Sequence, residues 1–102
     1  MKGMAHVGVL KALSKLRIPV ITAPVGGLQQ MTPRGAGAAV AATAEYGTVP
    51  VISSVAGHEL EEIAAAAPDS VKHFQLYIRG DRDWEREMVG RIKAAGYSSL
   101  TI

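Results

Sequence analysis

Val49-Pro50-Val51-Ile52-Ser53-Ser54 is a run of apolar, largely β-branched residues that stops at two hydroxyl side chains. A short continuous run of this kind, without polar alternation, reads as a strand covered on both faces, which is the habit of a parallel sheet. Its flanks support that reading. Upstream, Thr32-Pro33 offers a helix cap followed by Pro at the first helical position, and the Ala-rich stretch that follows runs to Tyr46, where Gly47 stops it. Downstream, Glu59, Glu61 and Glu62 place negative charge in the first turn of a second helix, which Pro68 closes.

The same unit repeats outward. Ile18 to Ala23 is an apolar run in which Pro19 is confined to a strand start or an edge, and it ends at Pro24 and Gly26-Gly27. Val71 to Ile78 predicts another strand. Asp81 to Ala95 predicts a helix with Trp84, Met88, Ile92 and Ala95 on one face, and Gly96 ends it. Tyr97 to Ile102 begins a further strand. Four strands, each separated from the next by one helix, make right-handed βαβ units and a parallel sheet. Val9, Leu10, Leu13 and Leu16 form an amphipathic stripe. The expectation is an α/β fold: four parallel strands, three connecting helices and an extra N-terminal helix. Residues 1–16 form the helical segment and residues 17–102 a single domain.

Composition narrows the function. In 102 residues, 48% are apolar and only 5% aromatic, so the core must be built from Ala, Val, Ile and Leu. Without Cys there are no disulfides or thiolate metal sites. The 11 basic and 9 acidic residues are interspersed, so nucleic acid is not an expected partner. No stretch approaches the roughly 18 apolar residues of a membrane span, and a cytoplasmic location is expected. His6, His58 and His73 are not at metal-ligand spacing and read as structural or surface residues.

Ligands of parallel α/β sheets collect at the carboxyl ends of the strands. Here those ends carry Ala23-Pro24-Val25-Gly26-Gly27, Ser53-Ser54, Gln75 with Tyr77, and Thr101. Small residues let a flat ring approach the backbone, and the Ser, Gln and Thr side chains offer donors and acceptors to its polar edge. Each has a plainer reading too. Gly26-Gly27 is a strand-to-loop turn in any α/β protein, and Ser53-Ser54 serve equally as loop or capping hydroxyls. Gln75 and Tyr77 alternate on one strand face and need polar company. Trp84 and Met88 read as core, and Arg79, Asp81, Arg82 and Asp83 as a solvated loop with local ion pairs.

From Leu16 to Ile102 the chain resembles the first half of the barrel of the FMN-dependent α-hydroxy acid dehydrogenases and oxidases. The resemblance rests on Ile18-Pro-Val-Ile-Thr-Ala-Pro-Val-Gly-Gly, Gly47-Thr followed by Ile52-Ser-Ser, Glu61-Glu-Ile-Ala, Phe74-Gln-Leu-Tyr, and Arg91-Ile-Lys-Ala-Ala-Gly-Tyr. It implies a TIM barrel, of which this chain supplies a parallel (βα)4 half, with FMN lying across the strand ends. The backbone around Val25 and Gly26 would then lie near the flavin ring. Ser53, Gln75 and Thr101 would hydrogen-bond its pyrimidine edge. Tyr77 would be the catalytic residue present, binding a small L-2-hydroxy acid and stabilising developing negative charge, and Val55 would border the substrate side chain.

The family's Asp after strand four, and its later Lys, His base, carboxylate-binding Arg and phosphate loops, have no counterpart among these residues. A complete catalytic cycle is therefore not expected of them alone. An open half-barrel leaves sheet edges unpaired, which implies self-association into a homo-oligomer or flattening into a doubly wound sheet. A non-catalytic α/β module stabilised by self-association is the alternative function. Separately, Lys2 to Leu13 resembles the glycine-rich opening of patatin-like acyl hydrolases, whose helix-start N–H groups form an oxyanion hole. That family's nucleophile elbow is missing, since Val25 stands where its Ser would be.

Overall fold

The computed structural model describes residues 15–102. Both the patatin-like stretch and nearly all of the expected N-terminal helix lie outside the described residues. The elements are α1 (Gly35–Tyr46), β1 (Val51–Ser53), α2 (Leu60–Ala65), β2 (His73–Gln75), α3 (Arg82–Ala94) and β3 (Ser99–Thr101), with a 3-10 turn at Leu28–Gln30. The strands are parallel in the order β1-β2-β3. Their register aligns Val51, His73 and Ser99 in one row, Ile52, Phe74 and Leu100 in the next, and Ser53, Gln75 and Thr101 in the third.

Three strands form where four are expected. Ile18 to Ala23 is held beside β1 by a single parallel bridge, Thr22 to Pro50, in which Thr22 N–H donates to Val49 O and Val51 N–H to Thr22 O, both at 3.2 Å. The ladder goes no further for a local reason. Pro24 has no N–H with which to continue it, and the Val20 carbonyl is taken by the Thr48 hydroxyl.

Helix ends follow their chemistry with one correction. Thr32 does not cap α1. Gly35, at φ +50°, turns through the left-handed region and donates its N–H to Thr32 O at 2.9 Å, so regular helix begins only there. At the other end, Gly47 at φ +93° and Thr48 both donate to Thr43 O, the expected stop. Asp81 caps α3, its carboxylate accepting from Asp83 N–H and Trp84 N–H.

Alternation along the strands separates two faces. Ile52 and Phe74 are buried against Ala36, Val40, Leu60, Ile63 and Ile92 from the helices, with Leu100 and the expected stripe of Trp84, Met88 and Ala95 packed on the same cluster. The rows of Val51 and Ser53 lie on the opposite face. The described helices pack side by side over one face, as on the outside of a barrel.

Candidate functional site

Ser53, Gln75 and Thr101 are the last residues of the three strands and stand in register as one row. The loops beyond them are laced together by main-chain bonds. Ser54 N–H donates to Gln75 O at 2.9 Å, Leu76 N–H to Thr101 O at 2.8 Å, and Tyr77 N–H to Ser54 Oγ at 3.1 Å. On the other side, Gly27 N–H donates to Val55 O at 2.9 Å. A Cβ on Gly26 would stand 3.0 Å from Val55 Cγ2, so the two loops meet at a position where a side chain would crowd. The fold thus brings all seven sequence-identified residues, Val25, Gly26, Ser53, Val55, Gln75, Tyr77 and Thr101, to one rim.

They differ in exposure. Ser53 is buried, and its Oγ accepts from Val55 N–H at 3.2 Å, leaving its own proton to donate. Gln75 is half-buried, while Thr101 and Tyr77 are exposed, so their polar groups are open to a ligand. Both plainer readings of this region hold locally, since Gly27 sits at φ +66° in a turn and Ser53 and Ser54 bond loop N–H groups. A mostly apolar cleft of about 180 Å³ opens beside Ser53, walled by Ala23, Val25, Leu28, Ala36 and Ile52. Among the described residues no helix is long and apolar enough to cross a membrane, and no cluster of side chains has the makings of a metal site.

One row below, His73 and Ser99 bond side chain to side chain on the same face. Burial holds the His73 imidazole below its ordinary pKa of 6.5. The unfolded chain therefore binds a proton there more readily than the folded one, and stability falls as pH drops from about 6.5 through the folded value. Urea midpoints should be lower at about pH 5 than at pH 7.5, a window above the carboxylate range. His73→Gln should flatten that difference.

Three residues escape a reading of the sequence. Lys72 is fully buried. Tyr97 donates its hydroxyl to Leu60 O at 2.8 Å and meets the Phe74 ring edge-on at 5.0 Å, tying the start of β3 to α2. Arg91 on α3 spans to Glu59 at 2.8 Å and Glu61 at 2.7 Å beside α2, and its hydrogen bonds hold the Glu61 carboxyl below its usual range. The only advance signal is a basic residue shortly after a helix end, for Lys72. No sequence spacing announces the other two.

The chain matches the family model described as FMN-dependent dehydrogenase over residues 13–102. Among curated proteins it is similar to 2-hydroxyacid oxidase 2 of Rattus norvegicus, 35% identical over 86% of this chain and 25% of that protein. It is 31% identical to glycolate oxidase of Spinacia oleracea, over 86% of this chain and 24% of that one. Among solved structures it resembles mandelate oxidase with a difluorinated hydroxy acid, at TM-score 0.77 and 29% identity over 84% of this chain and 25% of that one. A mandelate oxidase variant with an FMN adduct matches at TM-score 0.76 and 28% identity, over 84% of this chain and 26% of that one. The chain spans about a quarter of the length of the curated relatives it matches.

Proposed function

Because this chain belongs to the FMN-dependent dehydrogenase family, whose relatives here are 2-hydroxy acid oxidases, we propose that its rim is the FMN floor of an enzyme oxidising small L-2-hydroxy acids to 2-oxo acids. The observation that carries this is the single row of Ser53, Gln75 and Thr101 at the strand ends. Hydroxyl, amide and hydroxyl in one line suit the alternating donors and acceptors of a flavin pyrimidine edge, and the lack of a Cβ at Gly26 lets the backbone there lie close against the Val55 side chain beside it. The donor set fits the group. When bound, FMN supplies the two-electron acceptor.

The chain's own part is binding and orientation. Ser53 is oriented by its bond from Val55 N–H, so its proton is free to point into the rim. Gln75 offers both an acceptor and donors from a half-buried position. Tyr77, anchored through its main chain to Ser54, presents an exposed phenol that would bind the hydroxy acid and stabilise negative charge developing on its oxygen. Val55 would border the substrate side chain. A cytoplasmic setting belongs to the same proposal.

Titrating FMN with the refolded chain should change flavin emission saturably, and Gln75→Ala should weaken binding about tenfold, the worth of one good hydrogen bond. Emission unchanged at about 100 μM, where a site worth only about 5.5 kcal/mol would be half filled, would overturn the reading.

A further inference from the structure

We propose that the hollow between α2 and α3 binds a small monocarboxylic acid with an apolar body, its carboxylate at Arg79 and its tail against Phe74. The cavity measures about 320 Å³, at the small end of the roughly 300–1,000 Å³ of small-molecule sites. Its buried lining is apolar: Leu60 and Ile63 come from α2 and Phe74 from β2, with the half-buried Met88 of α3 beside them. Its mouth is polar, where Ser54 and Arg79 stand on the loops that leave β1 and β2. Every lining residue falls between 53 and 91, so the hollow is a property of two consecutive strand–helix units.

Charge selects the ligand. Among the described residues Arg79 makes neither an ion pair nor a side-chain hydrogen bond, because the carboxylates nearest to it in the chain are taken. Asp81 accepts from Asp83 N–H and Trp84 N–H at the head of α3, and Asp83 holds Arg86 at 3.0 Å. On the opposite wall Arg91 is shared between Glu59 and Glu61, so Glu59 is occupied as well. That leaves Arg79 as the lining cation without a counter-ion, and one negative charge satisfies it. A phosphate would bring a second charge into a cavity that Glu59 also lines. Ser54 adds a donor. Its Oγ accepts from Tyr77 N–H at 3.1 Å, which leaves the hydroxyl proton for a ligand oxygen beside the planar guanidinium.

One wall is held in place before any ligand arrives. A Cβ on Gly35 would stand 2.7 Å from His58 Nδ1, and a Cβ on Gly57 would collide with the Gln29 amide. The His58 ring and the Gln29 side chain thus fill the gaps that two glycines leave, and they interlock the loop after β1 with the segment that leads into α1. A wall already ordered loses little conformational freedom on binding. Binding here needs no flavin, so this site and the flavin floor fail separately.

Trp84, the only tryptophan, rests on Gly80 next to Arg79, where a Cβ would stand 2.6 Å from its Cγ. Its emission therefore reports on the mouth in flavin-free protein. Phenylacetate at constant ionic strength should change that emission saturably, with half-saturation in the low millimolar range expected of about ten heavy atoms. The neutral phenylacetamide should bind about tenfold more weakly, the worth of one charge-assisted hydrogen bond. Arg79→Gln should weaken phenylacetate about tenfold and leave the amide unchanged. Arg79 is exposed, so the variant should keep the parent's circular dichroism. In amide magnetic resonance spectra, the shifts caused by phenylacetate should centre on Ser54, His58, Arg79 and Met88. No saturating response by about 20 mM in either measurement, equal affinity for acid and amide, or shifts centred elsewhere would overturn the proposal.

Discussion

Lys72→Met should lower the melting temperature of the chain by roughly 12–24 °C, the equivalent of about 3 kcal/mol in a domain near 100 residues. The Lys72 ammonium donates to Ala67 O at 2.9 Å, Ser70 O at 2.9 Å and Pro68 O at 3.3 Å, and its side chain has no exposed surface. The turn between α2 and β2 is wrapped around this one cation, which satisfies carbonyls that the short helix leaves behind. Methionine preserves the stem's volume, so the loss isolates the three hydrogen bonds from cavity formation. Burial holds the Lys72 pKa below its ordinary 10.5, with Asp69 pulling the other way. The unfolded chain therefore binds this proton more tightly than the folded one, and stability rises with pH between the folded value and 10.5. Melts from neutral pH upward should show that rise in the parent, and Lys72→Met should abolish Lys72's share of it.

Tyr97→Ala is the second large loss, about 3–5 kcal/mol, which a marginal domain does not survive at 37 °C. Tyr97 is 8% exposed, stacks edge-on against Phe74 and holds the Leu60 carbonyl at the first turn of α2. Truncation opens a cavity under β2, removes an aromatic pair and leaves a buried carbonyl without its donor. Tyr97→Phe separates these contributions. It keeps the ring and should cost only about 1 kcal/mol, the worth of the hydroxyl bond. Urea denaturation of both variants checks the order, and equal losses would show that the hydroxyl, rather than the ring, carries the contact.

Much of this architecture is written locally. The strand at Val51–Ser53 and the stops at Gly47 and Gly96 follow from β-branching and left-handed glycines, which act within a few residues. Strand ends are legible for the same reason, which is why Ser53, Gln75 and Thr101 stand out in the sequence. Their alignment itself depends on register, which no single strand encodes. The missing first strand shows the limit from the other side. Ile18 to Ala23 has the right composition, but pairing fails through Pro24 and through the Thr48 hydroxyl, which sits 28 residues away from the carbonyl it occupies. Lys72 and Arg91 were opaque because a charged residue reads as surface until the elements that enclose or face it are in place.

The order β1-β2-β3 has a consequence for how the molecule comes into being. Every strand pairs with its immediate predecessor, His73 standing 22 residues beyond Val51 and Ser99 a further 26 beyond His73. Among the described residues no pairing within the sheet waits for a distant part of the chain. Loop closures of this length cost little more than one another, so each strand can dock as soon as its own helix has emerged. The described strands can therefore add one after another during synthesis, each docking on the one before it.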